Sequence, residues 1–202
     1  IQVLAELTKL RQLCCDPGLV FEGYQGGSAK MALCLELIRS AADGGHKILL
    51  FSQFTSMLER LKEALGQEKI SFFSLDGSTP KAKRLELAER FNQDDTRVFC
   101  ISLKAGGTGL NLTGADMVIH FDPWWNVAVQ NQASDRAHRI GQKNVVTVYR
   151  LIARDTIEER IVALQERKKE LAEQILGQEG MGMAALTKEA LMEILGVGAE
   201  EG

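Results

Sequence analysis

The stretch Arg97–Asp122 reads RVFCISLKAGGTGLNLTGADMVIHFD, two short apolar runs joined by a glycine-rich segment. Neither run, Arg97–Ser102 nor Met117–Phe121, alternates apolar with polar residues. A strand covered on both faces reads as a continuous run, whereas a half-exposed strand alternates. Working outward, the same kind of segment recurs at Lys47–Phe51, Ile70–Leu75 and Val145–Leu151. Between these runs lie segments with helical spacing. Thr55–Leu65 puts Met57, Leu58, Leu61 and Leu65 on one face, and Lys81–Asn92 and Val127–His138 are also read as helices. Strands alternating with helices predict an α/β fold, an open parallel sheet with helices on both faces.

The flanks read as helices of a different kind. Ile1–Cys15 repeats Leu4, Leu7, Leu10 and Leu13 at every third position, with Val3 and Cys14 widening the face, and Asp16-Pro17-Gly18 stops it. A connector from Gly23 to Gly27 leads to Ser28, a candidate N-cap for a helix that ends at Gly44-Gly45. After Asp155 one long helix, Thr156–Leu176, carries the stripe Ile157, Ile161, Leu164, Leu171 and Ile175. Gly177–Met183 reads as a link and Thr187–Leu195 as a last short helix. The chain thus divides into a helix and connector at 1–27, the α/β unit at 28–154, the long helix at 155–176 and an appendage at 177–202. It opens without methionine, as a piece of a longer protein would.

Composition narrows the function. With 45% apolar and 25% charged residues the chain resembles an ordinary globular protein. No apolar run approaches the roughly 20 residues of a membrane span, and the opening residues lack a signal peptide's apolar core. Cys14, Cys15, Cys34 and Cys100 form no Cys-x-x-Cys pair, and His46, His120 and His138 are not grouped with them. That pattern predicts reduced, buried thiols and no metal site. The net charge of −3 is unevenly placed: from Asp155 onward eleven acids face five bases, whereas the first 154 residues hold nineteen bases and sixteen acids. A basic patch for nucleic acid is therefore permitted on the main unit.

Two segments could carry chemistry. Ser102–Asn111 leaves a strand and places three glycines in four positions, Gly106, Gly107 and Gly109. Glycines let a backbone approach an anion and turn its N–H groups toward it, but the same turn fits a plain tight loop. No Gly-Lys-Ser/Thr follows, so it is not a Walker A loop. The second segment is Gln132-Ala133-Ser134-Asp135-Arg136-Ala137-His138-Arg139-Ile140-Gly141-Gln142. On a helix Gln132, Arg136 and Arg139 would share one stripe, a phosphate clamp built from two forked, permanently charged groups. A solvated face with an Asp135–Arg139 pair is the competing reading.

These residues carry a resemblance. Gln132 to Gln142 resembles motif VI of SWI/SNF-type superfamily-two ATPases at every defined position, Gln-x-x-Asp-Arg-x-x-Arg-Ile-Gly-Gln. Ser102–Asp116 is similar to their motif V and Ile48–Phe54 to their motif IV. Asp76-Gly77-Ser78-Thr79 resembles the turn that follows motif IV, and Asp122-Pro123-Trp124-Trp125-Asn126 the aromatic segment between motifs V and VI. Leu10–Cys15 is like the helix joining the two motor lobes. The likeness runs from about residue 4 to residue 176.

The resemblance implies a RecA-like helicase C-terminal lobe with a C-terminal brace helix, the second lobe of an ATP-driven double-stranded DNA translocase. ATP and Mg2+ would be held mainly by a first lobe, since the phosphate loop and the Asp-Glu pair do not occur here. Asp122 imitates a Walker B aspartate, but it lacks a partner phosphate loop and precedes Pro-Trp. Arg136 and Arg139 would be arginine fingers, with Gln132 orienting phosphate or water. Gly107, Thr108, Gly109 and Asn111 would line the nucleotide. DNA contacts would fall at Gly77, Ser78, Thr79, Lys104, Gly106, Gly107, Trp124, Trp125 and Asn126. The implied partners are double-stranded DNA and the N-terminal lobe of the same parent chain, with no membrane and no particular oligomer. The location would be the cytoplasm or nucleoid in a bacterium and the nucleus in a eukaryote. Two other classes remain open at this level: a self-contained phosphate-ligand enzyme of nucleotide-sugar type, and a catalytically inactive interaction module.

Overall fold

All five apolar runs become strands of one sheet in the computed structural model, which describes residues 2–103, 105, 109–139, 142 and 144–175. The link and short helix expected within residues 177–202 lie outside these residues. The order is α1 (Gln2–Cys15), a 3-10 turn (Pro17–Leu19), α2 (Ala29–Asp43), β1 (Ile48–Ser52), α3 (Thr55–Gln67), β2 (Phe72–Leu75), α4 (Lys81–Gln93), β3 (Val98–Ser102), β4 (Met117–His120), α5 (Val127–Ser134), β5 (Thr147–Arg150) and α6 (Ile157–Ile175). The sheet runs β2-β3-β1-β4-β5, and every neighbouring pair is parallel.

Successive strand residues point to opposite faces, and the runs feed two cores. Leu49, Phe51, Phe99, Ile101 and Val118 pack with Leu87, Ala88 and Phe91 of α4 and Ala133 of α5. Ile48, Leu50, Val98, Cys100 and Ile119 pack with Cys34, Ile38 and Ala41 of α2 and with Met57, Leu58, Leu61 and Leu65 of α3. Both faces are covered, as unbroken apolar runs require. The edge strand β5 is the exception, with Val148 exposed and Val145 just before it 89% exposed. Ser28 caps α2 as its side chain predicts, accepting from the N–H of Met31 at 3.2 Å.

The first helix departs from its leucine spacing. Val3, Leu4 and Leu10 are exposed, and the side turned inward is Leu7, Arg11 and Cys15. These sit at i, i+4 and i+8, one stripe along the helix. Counting apolar residues missed it because a buried arginine occupies the middle position. Leu7 packs with Ile161, Ile157 and Leu164 of α6 and with Trp125, which gives the long helix its inner face. Side chains beyond residue 168, including Leu171 and Ile175, lie outside the described set. Cys15, Cys34 and Cys100 are buried and free, and Cys14 is half-buried.

His120 ends β4 inside the domain. Its ring stacks on Phe51 with centroids 5.4 Å apart, and Nε2 lies 2.8 Å from the Ser134 hydroxyl. Burial, and secondarily Arg150, pull its pKa down to about 3. Above its ordinary value of about 6.5 the ring is neutral in both folded and unfolded chains. As pH falls from there toward about 3, only the unfolded chain takes up the proton, so stability falls. This histidine should cost up to about 2 kcal/mol between pH 7 and pH 5. Urea unfolding of the His120→Gln variant at the two pH values should show a smaller difference than the parent shows.

Candidate functional site

The carboxyl ends of β1, β3 and β4 meet at the centre of the sheet, the usual place for a ligand in an open α/β fold. The chain leaving β3 stays attached there through Leu103 N–H to the Ser52 carbonyl at 2.9 Å, and that leaving β4 through Phe121 N–H to the Phe51 carbonyl at 2.9 Å. Lys104, Gly106, Gly107 and Thr108 lie outside the described residues. Gly109 has φ +65°, a left-handed conformation that favours glycine. Asn111 is exposed, and its carbonyl accepts from the Asn92 amide at 2.9 Å.

The helix that carries Gln132 stops earlier than its sequence suggests. α5 ends at Ser134, and residues 135–139 are turns, so Gln132, Arg136 and Arg139 do not share a helical stripe. Past Ser134 the helical bonding tightens, Arg136 N–H donating to the Ala133 carbonyl at 3.3 Å and Ala137 N–H to the Ser134 carbonyl at 3.1 Å, three residues back instead of four. The Arg136 carbonyl accepts from Leu112 N–H at 3.1 Å, and the Ala137 carbonyl accepts from the Gln142 side chain at 3.1 Å. The same Gln142 Nε2 donates to Thr113 O at 3.1 Å and Ala115 O at 2.7 Å. One side-chain amide thereby ties the arginine-bearing turn to the segment that follows the glycines.

The two arginines receive opposite environments. Arg139 is exposed and donates to the Gly109 carbonyl at 3.1 Å. Arg136 is 2% exposed, and its Nε and Nη1 have no hydrogen-bond partner among the described residues. Burial lowers its pKa, the nearby Arg139 lowers it further, and Asp135 opposes them. A guanidinium in this position remains charged. It is a buried cation with unused donors beside a second cation, an arrangement that an anion would relieve. Gln132 is exposed on α5 and His138 is exposed in the turn.

The Asp76–Thr79 turn is built by its own side chains. The Asp76 carboxylate accepts from Ser78 N–H at 2.8 Å and from the Ser78 hydroxyl at 2.6 Å, contacts that hold its pKa below the usual value. Gly77 and Ser78 are exposed and Thr79 is partly buried. Arg84 of α4, which the sequence reading did not single out, donates to the carbonyls of Thr79 at 2.6 Å and of Asp76 and Gly77 at 3.1 Å each. Its third nitrogen reaches the Ala105 carbonyl at 3.4 Å. One guanidinium thus holds this turn beside the glycine-rich loop. An arginine at position 84 gave no periodic signal; only the fold brings Thr79 and Ala105 within its reach.

The aromatic segment is engaged within the domain. Trp124 and Trp125 are partly buried around the Arg11 guanidinium, whose carbon lies 5.8 and 4.4 Å from their ring centroids. Asn126 caps α5, its side chain accepting from Ala128 N–H at 3.0 Å. Within the lobe these side chains serve packing and capping. Asp122 is fully enclosed, accepting from the Ser52 hydroxyl at 2.5 Å and from Gln53 N–H, and burial raises its pKa. Nearby, Lys30 of α2 is ion-paired with Glu158 of α6 away from water.

The open parallel sheet of order β2-β3-β1-β4-β5, with helices on both faces, is the fold of a RecA-like lobe. Residues 29–141 match the helicase conserved C-terminal domain, and the chain belongs to that family. An uncharacterized ATP-dependent helicase of Mycoplasma pneumoniae is 44% identical over 95% of this chain, which covers 19% of that protein. The C-terminal domain of the Sulfolobus solfataricus SWI2/SNF2 ATPase superposes with a TM-score of 0.72 at 32% identity, covering 95% of this chain and 80% of that one. The Sulfolobus ATPase core in complex with double-stranded DNA matches with a TM-score of 0.73 at 34% identity, covering 95% of this chain and 41% of that one. The fold is therefore the C-terminal lobe of SWI2/SNF2 ATPases, and the chain spans about a fifth of the length of the curated relatives it matches. Among the described residues no helix is long and apolar enough to cross a membrane, and no group of three or more His, Cys, Asp or Glu could hold a metal ion.

The Gln142 clamp makes a direct prediction. Gln142→Leu keeps the volume but leaves three carbonyls without this donor, which should cost about 1–3 kcal/mol. Urea unfolding of the domain measures it, and a loss below about 0.5 kcal/mol would show that water replaces the clamp.

Proposed function

We propose that the chain is the second motor lobe of an ATP-dependent double-stranded DNA translocase, closing over ATP held by a first lobe. The observation that carries this reading is the buried Arg136 guanidinium with unused donors beside Arg139. On closure both arginines meet the γ-phosphate and stabilise charge in the transition state, a role worth about 10³–10⁵ in rate. Gln132, one turn earlier on α5, orients the phosphate or the attacking water. Gly107, Thr108, Gly109 and Asn111 form the wall facing the nucleotide. The magnesium ion and the triphosphate are handled by the first lobe.

The DNA track is read from the Asp76–Thr79 turn and the glycine loop. Gly77, Ser78 and Thr79 present backbone and hydroxyl groups, and Lys104 with Gly106 and Gly107 lies on the loop that Arg84 ties to this turn. Such contacts address phosphates and carry no sequence information. The dsDNA complex of the structurally similar Sulfolobus core supports this assignment of the partner.

Hydrolysis by an enzyme containing both lobes tests the nucleotide half. Arg136→Ala and Arg139→Ala should each remove DNA-stimulated turnover while leaving DNA binding nearly intact, and the lysine variants should not restore it, since an ammonium lacks the forked geometry. This lobe alone should hydrolyse no ATP; turnover by the isolated chain would favour a self-contained enzyme.

Salt dependence tests the DNA half. Each neutralised phosphate contributes about −0.9 to the slope of log affinity against log salt. The isolated lobe should bind duplexes weakly and without sequence preference, in the range of about 10⁻⁴–10⁻⁶ M. Lys104→Ala should weaken binding uniformly and reduce the slope by about one. Fluorescence anisotropy on several duplexes at three salt concentrations measures both, and an unchanged slope would take the glycine loop off the DNA.

A further inference from the structure

The function above uses Arg136 and Arg139 but leaves unexplained why an arginine is buried in α1, nowhere near them in sequence. Arg11 is 4% exposed. Its guanidinium carbon lies 4.4 Å from the Trp125 ring centroid, 5.5 Å from Phe54 and 5.8 Å from Trp124. Nη2 donates to the Pro123 carbonyl at 2.8 Å, and the enclosed Asp122 carboxylate balances its charge. An aromatic cage with one directed hydrogen bond fixes a guanidinium in position and orientation.

What the cage grips is the segment that launches α5. Pro123 is held by Arg11 from α1, and the Trp124 carbonyl accepts from the buried Gln165 of α6. Trp124 N–H donates to the Gln130 side chain of α5 at 3.2 Å, and Asn126 caps the same helix. From there α5 runs directly into the turn that carries Arg136. The helix preceding the α/β unit and the helix following it therefore hold adjacent carbonyls of one segment, those of Pro123 and Trp124.

We propose that Arg11 is a positioning residue for the arginine turn, acting as a strut from α1 through the Asp122–Asn126 segment to α5 and Arg136. The proposal rests on the arginine-finger reading of Arg136. A displacement of α1 or α6 reaches the turn through this segment, and loosening the strut leaves the arginines present but misplaced. Misplacement by about 1 Å costs on the order of 100-fold in a catalytic step, whereas the binding of each ligand need not change.

The test is Arg11→Lys in the enzyme with both lobes, with Arg136→Ala in parallel. The lysine keeps the positive charge beside Asp122, so the fold should hold and the melting temperature should stay within a few degrees. DNA-stimulated kcat should fall roughly 10- to 100-fold, with KM for ATP and affinity for duplex DNA unchanged. Gln165→Leu, which releases the same segment from α6, should give the same split to a smaller extent. In the 202-residue chain the only two tryptophans are Trp124 and Trp125, so Arg11→Lys should also shift tryptophan emission. Wild-type kcat in Arg11→Lys overturns the proposal, and so does a fall in kcat matched by loss of folded protein or by a parallel rise in KM. If Arg136→Ala itself retains turnover, the arginine-finger reading has failed; if only Arg11→Lys retains it, the strut alone has failed.

Discussion

A guanidinium keeps its charge at any pH a cell reaches, so enclosing one in a protein demands compensation from its surroundings. Among the described residues two are enclosed, and they are treated in different ways. Arg11 is surrounded by three aromatic rings, a carbonyl and a nearby carboxylate. Arg136 is equally hidden yet keeps two nitrogens without a partner among the described residues. The first also leaves its Nε without a hydrogen-bond partner, but rings, carbonyl and carboxylate enclose it as a structural joint. The second is an incomplete site, and its incompleteness carries the functional reading.

The geometry between the two arginines follows from the sheet. With β1 at the centre, the chain that leaves β3 and the chain that leaves β4 emerge side by side, each bonded to the end of β1. The β3 exit becomes the glycine-rich loop, and the β4 exit becomes the aromatic segment and α5. Gln142 and the Arg136 carbonyl then stitch the second excursion back onto the first. Arg84 performs the same service on the opposite side, tying the Asp76–Thr79 turn to Ala105. Each tie is a side-chain donor shared among several carbonyls, which holds irregular backbone without adding secondary structure.

Much of this was legible in the sequence. Unbroken apolar runs mark β1, β3 and β4, because burial on both faces leaves no polar alternation. β5 starts later than its apolar residues suggest: Val145 is apolar yet 89% exposed, so hydrophobicity alone overextends an edge strand. The helix expected over Val127–His138 ends four residues earlier, because spacing cannot reveal that Arg136 and Ala137 bond three residues back while Leu112 and Gln142 hold the turn beyond them. The inward face of α1 departs from its leucine spacing for the complementary reason. Its leucines look like a core stripe, but an arginine between Leu7 and Cys15 is the residue turned inward, and only its distant partners Phe54, Trp124 and Trp125 make that possible. Arg84 was missed on the same ground, since its partners lie 5 and 21 positions away.

The strand order also constrains how the lobe can be made. β1 is the first strand of this sheet to leave a ribosome, but both of its neighbours come later, β3 ending at Ser102 and β4 at His120. For about 70 residues of synthesis, roughly 4 to 14 s at ordinary elongation rates, the most apolar strand has one or both backbone edges unpaired. Its flanking helices α2 and α3, and then α4, are what can shield it in that interval. The central position that lets β1 anchor both loops of the site thus makes it the segment most dependent on early helix packing, or on a chaperone, for safe passage.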